Sequence, residues 1–258
     1  MLIAYIMGGD PDLATSGSVI DAVARGGADI IEVGIPFSDP IADGKSIQAA
    51  DVRSLAAGTT PSQVLELIRG AKSRNPRIPI VAMTYYNFLF ANGLTKFLES
   101  ARASGVDGLI IPDLPFDEIG DYAPLAKRHG LDAILLAAPT STSVRVETLA
   151  KHTSGFLYLV SLTGVTGARS ELQGSTVDLI HFAKRHARKV PIAVGFGIST
   201  PEQAGAILAA GADAVVVGSA IVDRVAEYKR DAPDKMLTSV ESYVRSLKEA
   251  SGAAAVRA

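Results

Sequence analysis

Short apolar runs alternate with amphipathic stretches along this 258-residue chain. Four of the runs follow a glycine, one further residue and an aspartate, as Gly27-Ala28-Asp29, Gly105-Val106-Asp107, Gly130-Leu131-Asp132 and Gly211-Ala212-Asp213. Glycine suits the left-handed residue just past a helix C-terminus, and a short apolar run after it is typical of a buried strand. Each repeat therefore predicts the end of a helix and the beginning of a strand.

The full pattern predicts eight strands, at residues 2–7, 29–34, 78–84, 107–111, 132–137, 155–161, 190–195 and 213–218. Amphipathic stretches between them predict helices, among them 62–73, 94–104, 143–152 and 201–210, two of which begin with a Thr-Pro pair. Strands that alternate with helices imply βαβ units and a parallel sheet. Eight units in about 250 residues favour a (β/α)8 TIM barrel, with an open doubly wound sheet as the alternative. We expect residues 1–258 to form one such domain, ending in a helix over 231–250 and a frayed tail over 251–258.

Composition narrows the classes of function. The chain is 48% hydrophobic and 20% charged, with a net charge of −2, so it has no basic field for nucleic acid or anionic lipid. It contains no cysteine, which excludes disulfides and thiolate chemistry. The apolar residues 1–7 are too few for the hydrophobic core of a signal peptide or for a membrane span. No other apolar run approaches the roughly eighteen residues that a membrane span needs. We expect a soluble, cytoplasmic protein.

Glycine-rich segments follow the last three predicted strands, at 161–167, 195–197 and 218–219. In a TIM barrel the loops after the strands line the active site, and those after strands 7 and 8 commonly hold a phosphate. Glycines such as Gly197 and Gly218 let backbone N–H groups approach an anion, and a helix that begins at Ser219 adds its dipole. The segments predict a phosphate site, although a single glycine of this kind would only turn the chain.

One acidic residue interrupts a predicted strand, because Glu32 lies between Ile31 and Val33. If those two side chains point outward to the helices, Glu32 points into the barrel, where burial raises the pKa of its carboxyl group and suits it to acid and base catalysis. The alternative is a salt bridge at the strand end. Asp43, on the following loop, can bind a substrate N–H, but its spacing alone favours a turn role, as does that of Asp39 before Pro40.

Other catalytic chemistries find little support in the sequence. The four histidines, at 129, 152, 181 and 186, fall in helical stretches without metal-ligand spacing, so no metal site is expected. Lys45 is the one candidate for a Schiff base, and its flexible loop position argues against that role. No GxSxG, Walker A or dinucleotide fingerprint follows a strand. What remains is cofactor-free acid/base chemistry on a small phosphorylated substrate.

Several motifs together resemble those of the tryptophan synthase α subunit family. They are "GADIIEVGIPFSDPIADGKSIQAA" at 27–50, "GDP" at 9–11, "MTYYN" at 83–87, "IPDLP" at 111–115, "SLTGVTGAR" at 161–169, "GFGIS" at 195–199 and "GSAIV" at 218–222. The match covers nearly the whole chain, and the first segment is highly specific. The resemblance implies a (β/α)8 barrel that cleaves indole-3-glycerol phosphate into indole and glyceraldehyde 3-phosphate. It also implies a β subunit as partner, in an αββα assembly in which that subunit alone carries pyridoxal phosphate.

The resemblance also assigns roles to individual residues. Glu32 matches the family's general acid/base, Asp43 the carboxylate that binds the indole N–H, and Tyr158 the tyrosine near the catalytic glutamate. The residues that match substrate contacts are Tyr5, Met83, Thr166, Gly167, Phe196, Gly197, Gly218 and Ser219. Those that match the surface facing the β subunit are Pro36, Asp39 and Asn87.

Some features depart from the family pattern and leave alternatives open. Members usually carry a helix before the first strand, and this sequence begins at the strand itself, so we expect that helix to be missing. Met7 replaces a frequent threonine and Lys45 an often-found proline.

Two other hypotheses for the function remain at this point. One is a barrel kept as a regulatory subunit that binds ligand without turnover, and the other is a different phosphate-handling barrel enzyme, such as a sugar-phosphate isomerase.

Overall fold

A computed structural model of the protein describes residues 1–160, 174–195, 197–227 and 232–255. In these ranges the strands are β1 Leu2–Met7, β2 Ile30–Gly34, β3 Ile80–Met83, β4 Gly108–Ile110, β5 Asp132–Ile134, β6 Leu136–Ala137, β7 Leu157–Val160, β8 Ile192–Gly195 and β9 Ala214–Val217. The helices are α1 Leu13–Arg25, α2 Lys45–Ala56, α3 Pro61–Arg74, α4 Tyr86–Asn92, α5 Leu94–Ala103, α6 Ile119–Arg128, α7 Ser143–His152, α8 Gly174–Ala187, α9 Pro201–Ala209, α10 Ser219–Glu227 and α11 Pro233–Ala255, with a 3-10 turn at Phe116–Glu118.

The strands form one parallel sheet in the order β5-β4-β3-β2-β1-β9-β8-β7-β6. The two outer strands of that order are consecutive pieces of the predicted strand 132–137, separated by Leu135. β5 pairs with β4, β6 pairs with β7, and the backbone oxygen of Leu135 accepts a hydrogen bond from the Tyr158 N–H at 2.9 Å. The chain between 132 and 137 therefore joins both edges of the sheet, which confirms the TIM barrel and excludes the open doubly wound alternative.

Alternation along the strands divides the core into two layers. Ile31 and Val33 pack outward with the helices, in a cluster that also contains residues from most of the helices. Ile3, Val81 and Ile110 belong to a second cluster, inside the barrel. Full burial of an aliphatic side chain of this size stabilises the fold by about 1.5–3 kcal/mol. The outward direction predicted for Ile31 and Val33 is confirmed, which leaves Glu32 on the inner face.

The helix ends follow from local sequence. Thr60 and Thr200 each form a capping box with the glutamine three residues later. Each threonine is directly followed by a proline, which occupies the first helical position. The four repeat glycines, Gly27, Gly105, Gly130 and Gly211, all have positive φ, between 71° and 101°. The predicted left-handed residue between each helix and the next strand is therefore present.

The C-terminal helix extends further than predicted. α11 continues to Ala255, whereas the sequence pattern favoured an end at 250. Ser251 is buried and its hydroxyl donates to the Leu247 oxygen at 2.8 Å, so 251–255 are helical rather than frayed, and 256–258 lie outside the described residues. Burial of Val240, Val244 and Leu247 on one face explains the extension, because packing offsets the low helix propensity of Ser251 and Gly252.

Among the helices of the described ranges, none is long and apolar enough to cross a membrane.

Candidate active site

The inner face of β2 carries the buried carboxyl group of Glu32 into the barrel. Glu32 lies beside Tyr5 of β1 and Val81 of β3 in the strand register, and only 1% of its surface is exposed. Its Oε2 atom has no hydrogen-bond partner among the described residues. Burial, and then the negative charge of Asp43, raises the pKa of Glu32 from 4.5 to about 8. Glu32 is therefore mostly protonated at neutral pH and can act as an acid first and a base afterwards.

Asp43 faces the same cavity from the loop after β2. The hydroxyl of Tyr85 donates to its Oδ2 at 2.8 Å, and that hydroxyl in turn accepts the Ala42 N–H at 3.2 Å. Burial raises the pKa of Asp43 to about 6, against the opposing effect of the Tyr85 hydrogen bond. Asp43 is thus mostly ionised at pH 7 when Glu32 is mostly neutral. Its place on the cavity wall shows that the simple turn role favoured by spacing was incomplete.

Two tyrosines bring hydroxyl groups into the barrel next to glycines. A β-carbon at Gly195 would lie 2.5 Å from the Tyr158 hydroxyl, and one at Gly34 would lie 2.2 Å from the Tyr5 hydroxyl. Only glycine leaves room for either ring at these positions. Burial raises the pKa of Tyr158 well above 10, and the charge of Glu32 raises it further, so Tyr158 stays protonated near the carboxyl group.

The loops that follow β8 and β9 are suited to an anion. Gly197 has a positive φ of 61°, and a β-carbon there would meet no other atom within 4 Å. Gly218 follows β9, and Ser219 begins the nine-residue helix α10. The N–H groups of a helix N-terminus and of glycine-rich loops bind phosphate because they point free donors and a positive dipole end at it.

Apart from Gly34, Val81 and Tyr85, these residues line one cavity of about 790 Å³ at the carboxyl ends of the strands. The structure brings together the predicted residues Tyr5, Glu32, Asp43, Met83, Tyr158, Gly197, Gly218 and Ser219. Ile110, Ile111 and Leu136 supply apolar walls of the same cavity. The remaining substrate-contact predictions, Thr166, Gly167 and Phe196, lie outside the described residues.

Residues predicted to face a partner divide into two groups. Asp39 and Asn87 are exposed, whereas Pro36 is buried within the chain and offers little surface to another protein. Large apolar side chains are also exposed after β2 and in α4, since Ile41 is 83% exposed and Phe90 is 74% exposed. In the described part of the chain, no group of three or more histidine or acidic side chains is placed to hold a metal ion.

Two residues of the site were not found from the sequence. Tyr85, which binds Asp43, also stacks its ring on Phe37 with centroids 4.9 Å apart. Asp51 of α2 accepts the Phe37 N–H at 3.0 Å, and burial raises its pKa to about 7. Both hold the loop that carries Asp43. Tyr85 follows the end of a strand, as site residues of a barrel do, but the interior position of Asp51 in a helix gives no such signal.

Known proteins of one family are similar to this chain over almost its entire length. A family model described as "Tryptophan synthase alpha chain" matches residues 1–252. The tryptophan synthase alpha chain of Methanosarcina barkeri is 48% identical over 250 residues, which cover 97% of this chain and 92% of the relative. That of Geobacter sulfurreducens is 47% identical over 251 residues, covering 97% and 93%. The structure of a mutant tryptophan synthase alpha-subunit from the hyperthermophile Pyrococcus furiosus is 40% identical, with a TM-score of 0.86 and coverage of 94% and 97%.

Proposed function

The chain belongs to the tryptophan synthase alpha chain family, and we propose that Glu32 and Asp43 carry out in its cavity the reaction of that family. The family cleaves indole-3-glycerol phosphate to indole and glyceraldehyde 3-phosphate, a carbon–carbon lyase reaction, and this chain is such a lyase of tryptophan biosynthesis. The observation that carries the residue assignment is the difference between two carboxyl groups on one cavity, with pKa values of about 8 for Glu32 and about 6 for Asp43. Environments that separate the pKa values of two acids in this way assign them different roles.

The first step needs a neutral acid and an anion at the same time. Glu32, protonated near pH 7, delivers its proton to the indole ring carbon that carries the side chain. The ring nitrogen then bears positive charge, and the ionised Asp43 accepts a hydrogen bond from its N–H. Proton transfer of this kind typically contributes about 10²–10⁴-fold to the rate. An oriented counter-charge stabilises the cation further, because it needs no reorganisation when the charge forms.

The second step uses the same glutamate in its other state. The Glu32 carboxylate takes the proton from the hydroxyl on the carbon next to the ring. The bond between that carbon and the ring breaks, its electron pair returns to the ring as indole, and the hydroxyl oxygen becomes the aldehyde oxygen of glyceraldehyde 3-phosphate. Glu32 regains the proton it gave away, so the cycle is closed without a cofactor. Tyr158, protonated beside Glu32, orients the carboxyl group in both states.

The remaining contacts place the substrate along the cavity. Gly197, Gly218 and Ser219 bind the phosphate, and the apolar walls, including Met83, enclose the indole ring. We assign Thr166, Gly167 and Phe196 to the same substrate site on the strength of the family motifs alone.

Family membership implies a β subunit as the partner that consumes indole. We propose an αββα assembly in which the exposed residues Asp39 and Asn87, with the apolar Ile41 and Phe90, face that subunit. Buried Pro36 shapes the segment rather than contacting the partner. Pyridoxal phosphate belongs to the β subunit in this proposal, and a cytoplasmic location is consistent with a chain that lacks cysteine.

The decisive experiment measures glyceraldehyde 3-phosphate release from indole-3-glycerol phosphate, with and without a β subunit. We expect Glu32→Gln to reduce turnover by about 10³-fold, because glutamine keeps the shape of the side chain but cannot transfer the proton. Binding of indole-3-propanol phosphate, an unreactive analogue, should stay near that of the unaltered protein. Turnover retained in Glu32→Gln would refute the assignment. An inactive parent that still binds the analogue would instead support the regulatory-subunit hypothesis.

A further inference from the structure

The hydroxyl of Tyr5 is a buried polar group without a hydrogen-bond partner among the described residues. Tyr5 is 4% exposed and lines the cavity that holds Glu32 and Asp43. An unsatisfied buried hydroxyl is costly, so proteins rarely keep one unless a ligand or water completes it. Tyr122 of α6 also has an unpartnered buried hydroxyl, but it packs in the outer core and is not among the residues that line the cavity.

The side chain of Tyr5 lies between Gly218, at the predicted phosphate site, and Gly34, at the end of β2. A β-carbon at Gly218 would lie 3.3 Å from the Cβ and Cδ1 atoms of Tyr5, whereas one at Gly34 would lie 2.2 Å from its hydroxyl. The root of the side chain is thus beside the predicted phosphate site, and the hydroxyl is beside the end of β2. Tyr5 also pairs with Glu32 in the register of β1 and β2, so both side chains enter the barrel at the same level.

Acidic groups surround this hydroxyl. Burial raises the pKa of Tyr5 well above 10, and the charges of Asp43, Asp51 and Glu32 raise it further. Tyr5 consequently keeps its proton throughout the working pH range and remains a hydrogen-bond donor. None of the three carboxyl groups uses that donor in the structure.

We infer that Tyr5 is a further catalytic residue, whose hydroxyl donates a hydrogen bond to the substrate oxygen that becomes the aldehyde oxygen. The inference rests on the proposed function, in which Asp43 holds the ring nitrogen and Glu32 takes the proton of the adjacent side-chain hydroxyl. The oxygen of that hydroxyl must lie next to Glu32, which is the register partner of Tyr5. When Glu32 removes its proton and the carbon–carbon bond breaks, negative charge on the oxygen is stabilised by the Tyr5 O–H, which keeps its own proton.

The test compares Tyr5→Phe with Tyr122→Phe. Both variants remove one unpartnered buried hydroxyl, so neither should lower the thermal midpoint. We expect Tyr5→Phe to lower kcat/KM for indole-3-glycerol phosphate by about tenfold, as loss of one hydrogen bond made during the reaction does. Tyr122→Phe should leave it within about twofold, because that hydroxyl is remote from the substrate.

A binding measurement separates contact with the substrate oxygen from a change in cavity shape. In a Glu32→Gln background, which prevents turnover, Tyr5→Phe should weaken indole-3-glycerol phosphate about fivefold. Binding of indole-3-propanol phosphate, which lacks the side-chain hydroxyls, should change less than about twofold, since it has no oxygen at that position.

Three results would overturn the inference, namely an unchanged kcat/KM in Tyr5→Phe, equal losses in the two tyrosine variants, or equal weakening of both ligands. If the parent protein has no lyase activity, the proposed function fails. The comparison of the two ligands then still decides whether Tyr5 contacts a side-chain oxygen.

Discussion

Three carboxyl groups at each end of the barrel differ in the partners that surround them. At the amino ends of the strands, Asp29, Asp107 and Asp213 each accept the N–H of a residue in a neighbouring strand, at 2.7–2.8 Å. Each also pairs with a lysine, respectively Lys248, Lys72 and Lys184. At the carboxyl ends, Glu32, Asp43 and Asp51 have no cation partner among the described residues, and their pKa values are raised.

The difference separates stability from chemistry. A carboxylate that accepts a backbone N–H and pairs with lysine joins elements that are distant in sequence. A buried carboxyl group without a cation instead keeps a pKa near neutrality, at some cost to stability, and can exchange protons. The fourth repeat aspartate, Asp132, is exposed and has no ion pair in the described part of the chain, so the amino-end arrangement is present at three of the four repeats.

The largest contrast is expected when one aspartate at each end is changed to asparagine. Asp43→Asn removes the counter-charge for the ring nitrogen and should lower kcat by about 10²–10³-fold. Asp213→Asn should leave kcat within about twofold, since the residue lies outside the cavity. Steady-state rates of indole release measure both. Equal effects of the two changes would remove the functional distinction between the ends.

The next effect is a pH dependence of stability that arises at the carboxyl end. The pKa of Glu32 is about 8 in the folded state against 4.5 for an ordinary glutamate. The contribution of its protonated side chain to the free energy of unfolding is therefore complete below about pH 4.5 and is lost as pH rises through 8. The free energy of unfolding of the Glu32→Gln variant, taken relative to that of the parent, should therefore rise by on the order of 3 kcal/mol from pH 5 to pH 8.5. Urea denaturation at the two pH values measures the difference. A constant offset would mean that Glu32 is not held neutral by the fold.

Removing an amino-end carboxylate should lower stability without lowering activity. Asp213→Ala leaves the buried Ile192 N–H and the Lys184 ammonium without their acceptor, and we expect a loss of about 2 kcal/mol of unfolding free energy. Glu66→Ala, which breaks the exposed pair with Arg69, is the control and should cost less than about 0.5 kcal/mol. Thermal and urea unfolding measure both. A loss in Asp213→Ala no larger than in the control would contradict the structural role of the repeat.

The smallest effect concerns how Asp43 is kept ionised. The Tyr85 hydrogen bond lowers the pKa of Asp43, so Tyr85→Phe should raise that pKa above about 6 and leave more of the carboxyl group neutral in acid. We expect kcat/KM to fall about fivefold at pH 6.5 and less at pH 8.5, with the acid limb of the pH profile moved upward.

Tyr86→Phe is the matched control for this change, because the Tyr86 hydroxyl donates to Glu118 at 3.1 Å rather than to a cavity residue. Its pH profile should match that of the parent. A uniform loss at every pH in Tyr85→Phe would show that the ring hydroxyl acts on the shape of the loop and not on the charge of Asp43.

Much of the fold was accessible from the sequence because the relevant signals are local. Positive-φ glycines before Asp29 and Asp213, and the capping boxes at Thr60 and Thr200, specify where elements begin and end within a few residues. The end of α11 was placed too early, since Ser251 is kept helical by packing and not by propensity. The break at Leu135 was likewise missed, because a change of pairing partner leaves no mark on hydrophobic alternation.

The candidate site was only partly accessible. Glu32 was found because a charge interrupts an apolar run, and Gly197, Gly218 and Ser219 because glycine and a helix start follow strands. Asp43 looked like an ordinary turn residue until Tyr85 and the cavity wall were seen around it. Asp51 gave no signal, since burial of one helical position depends on what packs over it.

The order of residues alone determined the eight-part alternation, the inward direction of position 32 and the membership of a family, because periodicity, capping and motif identity are properties of neighbours in the chain. Only the tertiary structure decided which carboxyl groups meet lysine and which remain without a cation in a cavity. Burial raises the pKa values of Glu32, Asp43 and Asp51, because the free energy of a charge depends on the water and the charges that surround it in space.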